Sequence, residues 1–357
     1  MLPDTMNAVV AYQKGNYKYE TNVPTPQPKG AQIIMKVEAC GICAGDIKAF
    51  QGGARFWGGD GFDAFVKPPF IPGHEFLGHV AAFGPNYSGP FVIGQRIISE
   101  QIVPCGQCRY CREERHWLCD PHDVYGFKDY LPGGFAQYVC LPETALNYPV
   151  PEDMPLEQAL LIEPFACSLH AVERAAIQPG DVVVIAGAGP LGQGMITEAS
   201  HKGARAVVSI EPIAKRREQA ARQGATHTMD VWTGQGVHPL IAELTEGYGC
   251  DVYIEATGDP SGVSQGLQLI RKGGRFVEFS VMSGPSTIDF SIIGDAKEID
   301  MLGSSLSPFC YPRAIEGIAS GYLKTAGVLT HQFPLSDFQR AFEVCAWHEG
   351  IKVALIP

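Results

Sequence analysis

The spacing of apolar and polar residues changes character once along the chain. Before about residue 160, apolar residues come in short β-type runs such as Gln32-Ile33-Ile34-Met35-Lys36-Val37 and Arg96-Ile97-Ile98-Ser99, separated by turn signals at Gln27-Pro28-Lys29-Gly30 and Gly84-Pro85-Asn86. This predicts an irregular all-β unit. From Leu156 the pattern turns helical and then alternates. Val182-Val183-Val184-Ile185 is a continuous apolar run, as a strand buried on both faces requires, and a helical stretch follows over Pro190 to Lys202. Strand signals recur at Ala206 to Ile210, Val252 to Ala256 and Arg275 to Phe279, with a helix over Ala214 to Gln223. Such βαβ repetition predicts a parallel, doubly wound sheet with right-handed crossovers. The alternation stops near Asp300, leaving helix candidates at Tyr311 to Ser320 and Phe338 to His348 and a closing strand at Lys352 to Ile356.

Composition narrows the function. A length of 357 residues suits two domains, each able to bury a core. Lys+Arg 27 against Asp+Glu 38 gives a net charge of -11, which argues against a nucleic-acid backbone or an anionic membrane as partner. With 18% charged and 10% aromatic residues the chain is not a disordered one. No apolar run reaches the length of about 18 residues that a membrane helix needs. There are 11 cysteines, an odd number, and Met1 to Tyr12 lacks a basic segment followed by an apolar one. The expectation is therefore a reducing cytoplasm in which thiols act as metal ligands or core residues.

Ala186-Gly187-Ala188-Gly189-Pro190-Leu191-Gly192 is a G-x-G-x-x-G placed directly after a strand and before a helix. Gly187 allows the tight turn, Gly189 lets the backbone approach a pyrophosphate, and Gly192 permits close helix–strand packing. Pro190 takes the first helical position, and the helix N-terminus faces the diphosphate. Glu211 ends the next strand, where an acid hydrogen-bonds ribose hydroxyls and repels the extra phosphate of NADP, so NAD is the expected cofactor. Among Lys215, Arg216 and Arg217, a base could instead accept a 2′-phosphate. Leu191, Arg216, Ser280, Val281 and Ser304 complete the residues expected along the cofactor.

Cys105-x2-Cys108-x2-Cys111-x7-Cys119 puts four thiols inside fifteen residues of polar loop. That spacing suits a closed tetrahedral zinc site with no open position, hence a structural one. An iron–sulfur cluster is the rival, but the fourth spacing does not match ferredoxin runs. Cys40, Cys140, Cys167, Cys250, Cys310 and Cys345 lie in apolar settings and read as small core residues. Cys43 is the exception.

Cys40-Gly41-Ile42-Cys43-Ala44-Gly45-Asp46, then Pro72-Gly73-His74-Glu75-Phe76-Leu77-Gly78, then Glu163-Pro164 supply one soft and several harder ligand candidates. With the four-cysteine segment and the glycine loop, the chain resembles, over nearly its whole length, the zinc-dependent medium-chain alcohol dehydrogenases, specifically their polyol (sorbitol-type) branch. The resemblance implies an α/β plus β fold: a GroES-like β-barrel catalytic domain over 1–163 and 301–357, with a structural-zinc lobe at about 100–122, and an inserted Rossmann NAD domain over 164–300. It also implies NAD, two zinc ions per chain, a small-molecule polyol substrate, and a homotetramer or homodimer. Residue by residue, Cys43 and His74 match the catalytic zinc ligands. Glu75 is a ligand in some members and a supporting group in others. Glu163 either binds zinc or holds its water, and Asp46 orients His74.

Three departures bear on the reaction. The family's relay hydroxyl, two residues after the cysteine ligand, is here Gly45, and its relay histidine aligns with Lys48. Proton release is then expected through the zinc water held by Glu163, with Lys48 or the substrate's neighbouring hydroxyl as other routes. The stretch from Gln51 to Phe62 is long and rich in glycine and aromatics: Phe56 and Trp57 could close over a short substrate with Arg55 or Asp60 meeting hydroxyls, or could form an oligomer contact. Leu306 and Ser307 lie where sorbitol dehydrogenases carry an arginine and a tyrosine, which suggests a shorter sugar alcohol such as a tetritol. The expected function is NAD- and zinc-dependent oxidation of a secondary hydroxyl. An amino-alcohol substrate of threonine-dehydrogenase type is the second reading, and a zinc-ribbon binding module on an NAD sensor is the third.

Overall fold

The apolar run Ile33–Gly41 becomes the strand on which the first unit, residues 1–163 and 329–357, is built. It lies in a seven-stranded sheet of path Leu329–Pro334, Lys352–Ile356, Ile33–Gly41, Glu75–Phe83, Arg96–Ser99 and Asn147–Pro149, with Tyr138–Leu141 also paired to Ile33–Gly41. All these pairings are antiparallel except that of the first two strands. Met35, Val37, Phe76, Val80, Ile97 and Val139 send their side chains into one core, which the helix Phe338–Ala346 closes with Phe338, Ala341 and Phe342. That i, i+3, i+4 spacing is the apolar stripe of a helix packed on one face. Register matters here: Gly41 pairs with Glu75 on one side and with Ala354 on the other, so three distant segments meet at one end of the sheet.

The second unit spans residues 164–328. Six parallel strands run Val182–Ala186, Ala206–Ile210, His227–Met229, Cys250–Glu255, Ile270–Glu278 and Asp300–Gly303. Numbered along the chain, their spatial order is 3-2-1-4-5-6, the doubly wound dinucleotide-binding arrangement. Val182–Ala186 and Ala206–Ile210 are buried throughout, as their unbroken apolar sequences require.

The structure corrects the expected return to the first unit at residue 301. Asp300–Gly303 pairs in parallel with Ile270–Glu278 as the sixth strand, and the helix Tyr311–Ala319 belongs to the same unit, so the division falls after Val328. Half-exposed and exposed residues along Asp300–Gly303 hide the apolar run that marks a buried strand. The described residues are 1–59, 61–230 and 237–357 of the computed structural model. Asp60, named above as a substrate contact, lies outside them. Among the described residues no helix is long and apolar enough to cross a membrane.

Candidate active site and cofactor loop

The register of the first sheet assembles the metal candidates. Gly41 ends its strand and Glu75 begins the strand paired with it, so Cys43, two residues beyond the first, and His74, one before the second, arrive together. Cys43 Sγ, a His74 ring nitrogen and a Glu75 carboxylate oxygen all lie within 4.8 Å of one another. Cys43 caps the helix Ala44–Phe50, and its N–H donates to Asp46 Oδ2 at 2.9 Å. The other carboxylate oxygen, Asp46 Oδ1, stands 3.7 Å from His74 Nδ1, and both atoms are buried without a hydrogen bond.

Electrostatics favour a cation at this point. Burial pushes the Cys43 thiol up to about 12; Asp46 and Glu163 add to the rise and Lys352 opposes it. A thiolate there at neutral pH needs a positive partner closer than the lysine. A thiol, an imidazole and a carboxylate converging in a buried place fit zinc, which accepts all three donor types. Glu163, in the first turn of the helix Ile162–Ala175, is buried and acts on Cys43 through its charge, but it is not in the three-atom group.

Lys352 is a site residue that the sequence did not announce. It is fully buried, ion-paired with Glu75 and donates to Ile42 O at 3.1 Å. Burial lowers its pKa to about 8 against the pull of Cys43, Asp46 and Cys40. Gly41 makes room for the pair: a β-carbon there would lie 2.3 Å from Glu75 Oε2 and 2.7 Å from Lys352 Cε. The available signal was a lysine opening an apolar strand, but only the register shows its partner.

Gly45 leaves a gap beside the metal group. A β-carbon at this position would stand 3.8 Å from Cys43 Sγ and 3.9 Å from the Phe56 ring, an ordinary contact distance. Phe56 is buried and stacks on Phe127 at 5.5 Å, and Phe127 lies 5.6 Å from the His74 ring. Trp57 packs against Phe70 and donates Nε1–H to Ala49 O at 2.7 Å. Phe56 thus faces inward and Trp57 is half-buried against the core; the exposed aromatic of this stretch is Phe62, whose ring Arg55 covers at 5.0 Å. Lys48 is half-buried on the Asp46 helix.

The four cysteines of the lobe also converge, with all four sulfurs within 4.8 Å of one another. Backbone N–H groups of Cys105, Cys108 and Cys111 donate to the sulfurs of Cys119, Cys105 and Cys108 at 3.3 to 3.4 Å. Such donation favours thiolates: it holds the Cys105 thiol low and brings Cys108 to about 6, whereas burial raises Cys111 and Cys119. The lobe is tied to the sheet through Glu100, whose buried carboxylate accepts from Tyr148 at 2.7 Å and meets His116 at 3.2 Å. Of the remaining cysteines, Cys40, Cys167, Cys250 and Cys310 are buried, while Cys140 and Cys345 are half-buried.

In the second unit the glycine loop has the geometry of a dinucleotide turn. Gly187 adopts φ +97°, a region open to glycine but strained for other residues. A β-carbon at Gly192 would lie 2.0 Å from Gly187 O, whereas the same position at Gly189 meets nothing within 4 Å. Gly189 and Pro190 open the helix Pro190–His201, and the space beside them can admit a diphosphate. The Glu211 carboxylate is buried and accepts from Ala188 N at 2.8 Å and Ile213 N at 3.0 Å. Arg217 donates to Glu211 O and Pro212 O, both at 2.7 Å, and pairs with Asp230; Lys215 is exposed and Arg216 half-buried. Ser280, Val281 and Ser304 lie within three residues of the carboxyl ends of Ile270–Glu278 and Asp300–Gly303, the edge at which open α/β sheets bind ligands. Ser280 Oγ donates to Glu255 O at 3.2 Å, and Ser304 N to Glu278 O at 2.9 Å.

A converging thiol, imidazole and carboxylate on a β unit, a closed four-thiol lobe and a doubly wound sheet with a glycine turn define a metal-dependent dehydrogenase. Comparison with known proteins agrees. Residues 29–152 match the alcohol dehydrogenase GroES-like domain and residues 190–320 the zinc-binding dehydrogenase domain. The chain is 44% identical over 359 residues to the erythritol/L-threitol dehydrogenase of Mycolicibacterium smegmatis, covering 100% of this chain and 99% of the relative. It is 32% identical to the sorbitol dehydrogenase of Bacillus subtilis, covering 100% and 98%. Among solved structures, a protein assigned as a zinc-binding dehydrogenase from Sinorhizobium meliloti 1021, bound to NADP, superposes with a TM-score of 0.87 at 30% identity over 99% of this chain and 100% of the other. The chain belongs to the zinc-binding alcohol dehydrogenase family and is an oxidoreductase acting on CH–OH groups.

Proposed function

We propose that the chain oxidises a secondary hydroxyl of a short polyol, a tetritol such as erythritol or threitol, to the ketose, with NAD+ as acceptor and zinc held by Cys43, His74 and Glu75. The observation that carries the substrate class is the 44% identity along the whole chain to an erythritol/L-threitol dehydrogenase. When bound, zinc acidifies the substrate hydroxyl as a Lewis acid and NAD+ takes the hydride. Asp46 holds the His74 ring by its Nδ1 side and leaves Nε2 for the metal. Glu163 takes the hydroxyl proton, since Gly45 offers no side-chain hydroxyl to relay it. Phe56 and Phe127 give the site an apolar wall beside His74.

A second zinc at Cys105, Cys108, Cys111 and Cys119 has a purely structural part. Glu211 supports NAD over NADP, because its buried, doubly hydrogen-bonded carboxylate would repel a 2′-phosphate. A homodimer or homotetramer acting in the cytoplasm completes this reading, on the strength of the family resemblance. Metal analysis alongside NADH formation from erythritol tests it: two zinc ions per chain with turnover support it, and one zinc without turnover overturns it.

A further inference from the structure

Tyr17, on the strand Asn16–Pro24, sits among aromatic rings, edge-on to Phe50 at 5.0 Å, Phe70 at 6.1 Å and Phe342 at 6.2 Å. It is only 5% exposed, and its hydroxyl is buried without a hydrogen-bond partner. Leaving such a group unpaired in a buried place destabilises the fold. Phenylalanine would fill the same space without that cost, so the oxygen calls for a reason.

Its surroundings supply one. Phe50 ends the helix that carries Asp46, and residues four apart share a helix face. Tyr17 therefore packs against the face from which Asp46 projects. Asp46 is also the charged group that acts on Tyr17, adding to the effect of burial in raising its pKa. Asp46 Oδ1 and His74 Nδ1 face each other at 3.7 Å, each without a hydrogen bond. Two of these buried atoms without a hydrogen bond, the Asp46 oxygen and the imidazole nitrogen, face each other, and the third, the Tyr17 hydroxyl, lies on the Phe50 side of the same helix. A carboxylate oxygen has two lone pairs and can serve both neighbours.

We propose that Tyr17 is a positioning residue of the metal site: a small turn of its hydroxyl and of the Asp46 carboxylate lets it donate to Asp46 Oδ1, both atoms being without a hydrogen bond here, and fix the carboxylate that holds the His74 ring. This rests on the reading of Cys43, His74 and Glu75 as a zinc site, and it adds a contributor from the N-terminal hairpin, outside every motif that marks the site in the sequence.

Tyr17→Phe removes the oxygen alone. Zinc affinity of the open site is read by competition with a chromogenic chelator, with Cys43→Ser reporting the zinc of the four-cysteine lobe by itself. Tyr17→Phe is expected to weaken the open site about tenfold, the usual scale for groups that orient a ligand. The thermal midpoint of the chelator-treated full chain stays the same or rises, because a buried unpaired hydroxyl is gone. In an Asp46→Asn background, adding Tyr17→Phe has less than a twofold further effect. Unchanged zinc affinity in Tyr17→Phe overturns the proposal, as does an equal loss with and without Asp46. Wild-type protein that binds no more zinc than Cys43→Ser refutes the metal reading itself, and the proposal with it.

Discussion

Lys352 Nζ, on the first residue of the closing strand Lys352–Ile356, is ion-paired with the Glu75 carboxylate 277 residues earlier, and both are buried. The pair exists because Ala354 and Glu75 flank Gly41 on adjacent strands. Removing one partner leaves the other charge buried alone, which costs about 3–5 kcal/mol. Lys352→Met should lose stability on that scale in urea unfolding of the chelator-treated chain, where no metal meets Glu75. Adding Glu75→Gln should restore a large part of it; a double variant no more stable than Lys352→Met would show that the pair is not the source of the loss.

The two glycines of the cofactor turn should separate binding from folding. Gly189→Ala places a methyl where no protein atom lies within 4 Å, so the thermal midpoint is expected to hold while NADH affinity, read by fluorescence, falls tenfold or more. Gly192→Ala forces a methyl to 2.0 Å from Gly187 O and should lower both.

Glu211 sets the choice of coenzyme. Glu211→Ser removes the buried carboxylate beside the glycine loop, and the ratio of kcat/KM with NAD+ to that with NADP+ should fall at least tenfold. A wild-type enzyme that prefers NADP+ would contradict the assignment outright.

Glu163→Gln keeps shape and removes the base. With Gly45 in place of a relay hydroxyl, kcat near neutral pH should drop about 100-fold while zinc content stays at the wild-type level. Full kcat in this variant would move the proton route elsewhere, to Lys48 or the substrate's own hydroxyl.

Cys108→Ser opens the lobe. One zinc per chain should be lost and the melting temperature lowered, with the kcat of the remaining folded enzyme retained, because the four thiols hold structure rather than substrate.

The sequence announced what depends on local pattern. Ala206–Ile210 and Ala214–Gln223 appear at the residues their apolar runs and helical spacing indicate, and Cys43, His74 and Glu75 meet as their motifs imply. What stayed hidden depends on long-range register or on edges. His227–Met229 and Asp300–Gly303 are short outer strands whose residues are half-exposed or exposed, so no continuous apolar run marks them. Lys352 becomes a site residue only through the pairing of its strand with Ile33–Gly41, and Tyr17 only through the ring of Phe50. Phe56 and Trp57, expected to cover a substrate or form an oligomer contact, lie on the short helix Ala54–Trp57, which buries Phe56 and half-buries Trp57; their glycine-rich setting hides that helix.

Oxidation of a short polyol is tested most directly by steady-state NADH formation across C3 to C6 alditols and threonine, using enzyme whose zinc content is known. Erythritol or threitol should give the highest kcat/KM, at least tenfold above sorbitol, with threonine inactive. Preference for a hexitol or for threonine, or no turnover of any polyol by the two-zinc protein, would contradict it.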